Sequence, residues 1–133
     1  MGLIHEIVFD CNKPAELAKF WAEILDGYAV RPYDEDETAR LAALGLTPET
    51  DTTVMVDGPG PSICFQNVDG RVYDNNRVHF DIEIDDRSAE VERLKEAGAT
   101  LDRVLPTYTV MRDPEGNQFC LVDQQRLATM AAA

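Results

Sequence analysis

The sequence predicts an α+β fold of two tandem βαβββ modules, and three repeated features carry that prediction. A strand-like run with one early histidine occurs twice, as Leu3-Ile4-His5-Glu6-Ile7-Val8-Phe9-Asp10 and as Arg77-Val78-His79-Phe80-Asp81-Ile82-Glu83-Ile84-Asp85. An amphipathic helical pattern follows each run, over residues 14–25 and 88–97. Each half then closes on a strand with a cysteine between two large apolar residues, Ile63-Cys64-Phe65 and Phe119-Cys120-Leu121. A duplicated unit with the same polar atoms in both copies can place four side chains around one cavity.

In the first half, residues 3–10 alternate, with Leu3, His5, Ile7 and Phe9 on one face. Cys11-Asn12-Lys13-Pro14 reads as a turn into a helix, with Asn12 as N-cap and Pro14 in the first turn. Leu17, Phe20, Trp21, Ile24 and Leu25 form a stripe of helical period, which makes Trp21 a core residue. Gly27 ends the helix. Strands are expected over 28–33, 52–57 and 62–68, with a stiff turn at Gly58-Pro59-Gly60-Pro61. Residues 34–50 break the pattern: a short helix around Thr38–Leu44, stopped by Gly45, reads as an insertion specific to this half.

Residues 69–76 are polar and form the natural linker. The second half repeats the order, with a strand at 77–85, a helix at 87–97 closed by Gly98, and strands at 100–105, 107–112 and 117–123. Asp113-Pro114-Glu115-Gly116-Asn117 is a turn by composition. The expected organisation is a single domain over 1–124, with module one at about 3–68, module two at about 77–123, and a tail at 125–133.

A chain of 133 residues has room for one core. With 44% hydrophobic and 28% charged residues it reads as a globular protein. No apolar run approaches the roughly 18 residues of a membrane span, and the start of the chain lacks a leader pattern, so a cytoplasmic location and no membrane partner are expected. The formal net charge is -13, and the twelve basic residues are scattered, which argues against a nucleic-acid partner. The acidic runs Asp34–Glu37 and Asp85-Asp86 read as solvated loops or helix N-termini. Three cysteines, Cys11, Cys64 and Cys120, do not suggest a disulfide framework and should be free thiols.

Strand alternation sorts the candidate site residues. In the fifth strand Val78, Phe80, Ile82 and Ile84 should pack under a helix, which turns His79, Asp81 and Glu83 to the cavity. Ile63 and Phe65 turn Cys64 and Gln66 inward, and Phe119 and Leu121 do the same for Cys120. Matching the first strand to the fifth puts His5, Ile7 and Phe9 inward as well. The expected ligand-binding lining is His5, Ile7, Phe9, Met55, Gln66, His79, Asp81 and Met111. His79, Asp81 and Glu83 are the candidates for acid–base chemistry. Asp81 and Glu83 could equally pair with Arg77 or Arg112.

These features resemble the vicinal oxygen chelate superfamily, which includes glyoxalase I, extradiol dioxygenases and bleomycin-resistance proteins. The likeness is carried by Phe20-Trp21, by Arg77-Val78-His79-Phe80-Asp81, and above all by Asp113-Pro114-Glu115-Gly116-Asn117-Gln118-Phe119-Cys120-Leu121, and it spans residues 3–123. The resemblance implies a cup-shaped, partly open β-barrel with the cavity on its concave side. It also implies a metal site of two histidines from the first strands and two carboxylates from the last strands. Here the matched positions are His5, Cys64, His79 and Cys120, with cysteine in place of both carboxylates. Glyoxalase I chemistry needs a metal-bound carboxylate as base, so that activity is not expected.

Two readings of the four residues stand. Cys64 and Cys120 are small buried core residues and His5 a hydrogen-bonded wall residue, with no cofactor; or the set holds a divalent metal such as zinc. Two functions stand beside them. One is a glyoxalase-like small-molecule protein with lyase, isomerase or dioxygenase-type chemistry. The other is a non-catalytic protein of the bleomycin-resistance kind that sequesters a small cationic ligand or drug. Many aromatics in a thin layered chain, and sheet edges to cover, lead to an expected homodimer.

Overall fold

The computed structural model describes residues 3–68 and 78–123. The chain divides into two compact units, Met1–Val72 and Tyr73–Ala133. Each carries one four-stranded mixed sheet, so the fold is α+β with two tandem modules. The expected linker at 69–76, the tail at 125–133 and Arg77 lie outside the described residues.

Module one contains β1 (Glu6–Cys11), α1 (Pro14–Ile24), β2 (Ala29–Val30), α2 (Glu35–Ala43), β3 (Thr53–Asp57) and β4 (Ser62–Asn67). Its strand order is β1-β4-β3-β2. β1 runs parallel to β4, and β3 runs antiparallel to both of its neighbours. Leu17, Ala18, Phe20, Trp21 and Ile24 of α1 are buried. They cover one face of the sheet, where Phe9 meets Trp21 and Phe65 edge-on at 5.9 and 5.3 Å. Entry into α1 differs from expectation. The N-cap is Lys13, not Asn12, and no side chain caps the helix. Pro14 supplies the fixed φ at the first helical position instead.

The acidic run 34–37 is a helix start. Asp34 caps α2 by accepting from the Glu37 N–H at 2.8 Å, and Glu35, Asp36 and Glu37 occupy the positive end of its dipole. The second strand is only two residues long, because the chain leaves the sheet after the Arg31 bond to β3 to enter this insertion.

Module two contains β5 (Phe80–Ile84), α3 (Arg87–Ala97), β6 (Thr100–Val104), β7 (Tyr108–Arg112) and β8 (Gln118–Asp123). The strand order β5-β8-β7-β6 repeats that of module one. Asp86 caps α3 through the Ala89 N–H at 3.2 Å. Gly98, at φ +116, closes the helix in the left-handed conformation. The expected turn after β7 is organised by Asp113, which is 2% exposed. Its carboxylate accepts from the Glu115 and Asn117 backbone N–H groups and the Asn117 side chain, each at 2.9 Å. Val78 does not pack under a helix: it precedes β5 and is 72% exposed.

Candidate site on the helix-free faces

Each sheet has one face under its helix and one face free of it. Strand pairing shows which residues share the free face, because directly paired residues point the same way. In module two, Phe80 pairs with Phe119 and Ile82 with Leu121 on the α3 side. Asp81 pairs with Cys120 and Glu83 with Val122 on the free side. The row continues through Val110, which pairs with Cys120, to Arg103, which pairs with Val110.

His79, Asp81 and Cys120 converge on this face. Their donor atoms lie within 4.8 Å of one another. His79 Nε2 sits 3.3 Å from Asp81 Oδ1, with the two side chains 49% and 60% exposed. Cys120 beneath them is 7% exposed. Burial pushes its thiol pKa up, and the negative charge and hydrogen bond of Asp81 push it the same way, while Arg103 opposes. Asp81 and Glu83 are not tied to Arg112, which contacts Asp102 at 3.3 Å and donates to the Gly116 carbonyl at 2.9 Å.

Module one repeats the geometry with other side chains. Val8 pairs with Cys64, which pairs in turn with Met55. The Arg31 N–H donates to the Met55 carbonyl at 2.9 Å. So Val8, Cys64, Met55 and Arg31 correspond to Asp81, Cys120, Val110 and Arg103. Two residues before Val8 stands Glu6, as His79 stands two before Asp81. The counterpart of His79 is therefore Glu6, and the expected match of His5 to His79 is one residue out of register. Burial raises the Cys64 thiol pKa, and Glu6 adds to the rise.

The register corrects the faces expected for Phe9, Ile7 and Met111, and His5 falls outside the strand. Phe9 packs on Trp21, under the helix. Ile7 pairs with Ile63 on that same side. His5 precedes β1 and is exposed. Met111 pairs with Phe119 and is 0% exposed, so it belongs to the α3 side. Alternation alone misplaced the first strand because apolar residues fall on both of its parities, and a slip of one inverts every side chain. Gln66 and Met55 do lie on the free face: Gln66 donates to Asp10 Oδ1 at 3.0 Å, and Met55 is half-buried.

Met55 also borders a concavity of about 250 Å³ beside Arg31, Tyr33, Arg40 and Asp51. Its polar groups are largely committed. Tyr33 donates to Asp51 Oδ2 at 2.8 Å, and burial with that carboxylate raises the phenol pKa strongly. Arg31 forms a two-pronged bond to Asp57 at 2.7 and 2.8 Å, and Ser62 donates to Asp57 at 2.6 Å. These bonds hold the Asp57 carboxyl at about 2.

A family model described as a glyoxalase-like domain matches residues 6–122. The chain belongs to this glyoxalase-like family. A search of the curated proteins gave no match. Among solved structures, this glyoxalase-like chain is similar to a glyoxalase/bleomycin resistance protein/dioxygenase family enzyme from Burkholderia phytofirmans. That match has 13% identity and a TM-score of 0.64 over 92% of this chain and 98% of that one. It is also similar to the trypanothione-dependent glyoxalase I of Leishmania major, with 15% identity and a TM-score of 0.62 over 99% and 94%. A third similar structure is the fosfomycin resistance protein FosX of Mesorhizobium loti, with 16% identity and a TM-score of 0.61 over 96% and 98%. At these identities the likeness shows the fold.

Vicinal oxygen chelate proteins often use a divalent metal, and the donor chemistry of the second module suits one. Imidazole nitrogen, carboxylate oxygen and sulfur within 4.8 Å make a mixed set of the kind zinc accepts. The thiol must lose its proton to ligate, which burial and Asp81 oppose, and a cation beside it would reverse that balance. Sequence reasoning did not single out Glu6, Arg31 or Arg103. Their signal was the position of each relative to the cysteine strand, which needs the register rather than the residue type.

Proposed function

We propose that this chain is a small-molecule protein whose ligand site is the helix-free face of the second sheet, at His79, Asp81 and Cys120. The supporting observation is the convergence of three chemically different donors on one exposed face, two of them half open to solvent. His79 and Asp81 are placed to hold or move a proton on a bound molecule, and Glu83 extends the polar strip along β5. His79, Asp81 and Cys120 would also hold a divalent metal, which when bound acts as a Lewis acid toward a ligand oxygen. Isomerase, lyase or oxygenase-type chemistry fits such a face. Glyoxalase I chemistry does not fit, because the last strands carry Cys64 and Cys120 where that reaction draws on carboxylates.

The alternative is sequestration of a small cationic ligand, supported by the exposed carboxylates Asp81 and Glu83 and a net charge of -13. A cytoplasmic homodimer is part of the same proposal. No described helix is long and apolar enough to cross a membrane.

Metal content separates the readings. Elemental analysis of tag-free protein and titration with Zn²⁺ should show roughly one ion per chain, lost in His79→Ala and Cys120→Ala. A metal-free protein that binds no Zn²⁺ leaves sequestration as the surviving reading.

A further inference from the structure

The helix-covered face of the second sheet is left open at its β6 end. Leu101 pairs with Met111 and Val104 with Thr109, which pair in turn with Phe119 and Leu121 on the α3 side. Leu101 and Val104 therefore point to the side on which α3 packs, yet they are 39% and 66% exposed. Met111, Leu121 and the Val91 and Leu94 side chains of the helix are all buried. β6 is also the terminal strand of its sheet.

A concavity of about 590 Å³ lies between α3 and β6. One wall is the helix face of Ser88, Val91, Glu92 and Lys95, and Leu101 and Val104 supply apolar surface opposite. The end at the start of α3 is acidic, with Asp85 and Asp86 in the lining. The bases nearby are engaged. Lys95 pairs with Glu92 at 3.5 Å. Arg87 donates to Asp123 at 2.8 Å and to the Leu105 and Pro106 carbonyls at 2.9 and 2.6 Å. Among the described residues, no hydrogen bond or ion pair holds Asp85.

Asp123, the last described residue, lines this same concavity. Its bond to Arg87 fixes the point at which the chain leaves β8. Residues 124–133, outside the described residues, read Gln-Gln-Arg-Leu-Ala-Thr-Met-Ala-Ala-Ala. Their charged side chain is Arg126, and their large apolar ones are Leu127 and Met130. That composition complements an acidic end and an apolar wall. The reach suffices as well. From Ser88 to Lys95 a helix rises roughly 10 Å, and four extended residues beyond Asp123 span roughly 13 Å. A segment tethered at the groove meets it at a roughly millimolar effective concentration, an advantage that no separate partner has.

We propose that residues 124–133 fold back into the groove between α3 and β6, with Leu127 and Met130 against Leu101 and Val104 and Arg126 beside Asp85. Apolar surface leaves water on both sides of that contact. The docked segment also shields the open edge of β6 from pairing with other chains.

NMR on the isotope-labelled full chain tests this. Methyl contacts should run from Leu127 or Met130 to Leu101 or Val104, and backbone order parameters over 126–130 should lie near about 0.85. Leu127→Asp with Met130→Asp should abolish the contacts and drop those order parameters below about 0.6. Arg126→Asp should weaken docking, and Asp85→Arg added to it should restore the contacts. All of these side chains lie outside the buried core or beyond the last strand, so the variants keep the fold, and the unchanged methyl signals of Leu94 and Leu121 verify that. Order parameters below about 0.6 throughout 124–133 in the parent protein, or contacts to another face, overturn the proposal. So do contacts that occur only between differently labelled copies in a mixed sample, since the occupant would then be a second copy's segment.

Discussion

Phe9 meets Trp21 edge-on, with ring centroids 5.9 Å apart, and this contact fixes the direction of every side chain in β1. Phe65 and Phe20 extend the cluster at 5.3 and 5.5 Å. Trp21 is 1% exposed and Phe65 0%. Truncation here leaves a cavity that the crowded rings cannot close. Trp21→Ala should cost about 3–5 kcal/mol, and Phe9→Ala should approach that range from below because Phe9 is only half-buried. Urea midpoints at constant slope measure both.

The fold was legible because it is written twice. Helix stripes, glycine stops and cysteine-centred strands repeat at matching intervals, and the turn at 113–117 closes as its composition implies. The candidate site was legible only in module two. There Phe80, Ile82 and Ile84 occupy one parity and His79, Asp81 and Glu83 the other, so the pattern has a single solution. In β1 the parities are mixed: Ile7 and Phe9 compete with Val8, and His5 stands beside Glu6. The eye pairs histidine with histidine, while the sheet pairs Val8 with Cys64 and so makes Glu6 the counterpart of His79. Arg31 and Arg103 were invisible for a related reason. Each takes its place from the row through the last-strand cysteine, which is known only once the strand register is known.

The thiols give a direct reading of the proposed site. Burial is the first cause of the raised Cys120 pKa, and Asp81 is the second. Removing that negative charge lowers the pKa and increases the thiolate fraction at a given pH. Asp81→Asn should therefore speed alkylation of Cys120 and leave Cys11, which is 0% exposed, as slow as in the parent protein. Mass-resolved iodoacetamide labelling follows each cysteine. A slower Cys120 in the variant would show that Asp81 does not act on it.

Asp57 makes a pH signature. Its folded pKa is about 2, first through the Arg31 hydrogen bonds and then through Ser62. A depressed carboxyl pKa contributes stability above the unfolded value, roughly 4, and loses it as pH falls through the folded value. Both side chains are well exposed, so the contribution is small, about 0–1 kcal/mol. Asp57→Asn should flatten the stability curve between about pH 4 and pH 2 and change little at pH 7 beyond that amount. Chemical denaturation across this window checks it.

Glyoxalase I turnover is the next expectation, and it is negative. Protein loaded with nickel or zinc should show no measurable isomerisation of the methylglyoxal–glutathione hemithioacetal. The residues at the two last-strand positions are Cys64 and Cys120, both buried, and both with thiol pKa values raised above the ordinary range. A protonated thiol is a poor substitute for the carboxylate that shuttles the proton. Robust turnover would mean that another residue, with Glu6 or Asp81 first in line, supplies the base.

The chain should form a homodimer at micromolar concentration. Large apolar side chains stand in water around the start of β1: Leu3 is 97% exposed, Ile4 72% and Val8 46%. β1 is the terminal strand of its sheet, so it carries backbone groups that its own sheet does not pair. Exposed apolar side chains at a sheet edge favour a self-complementary twofold contact, in which the same surface serves both copies. Charge opposes it, since each copy carries -13. The contact must therefore be apolar at its centre, and added salt should strengthen the dimer by screening the repulsion. Leu3→Asp together with Ile4→Asp should shift the equilibrium to monomer without lowering the unfolding midpoint of the monomer, because neither side chain is packed. Sedimentation velocity of parent and variant at low and high salt decides the matter, and a parent protein that sediments as a monomer throughout would remove the dimer from the proposal.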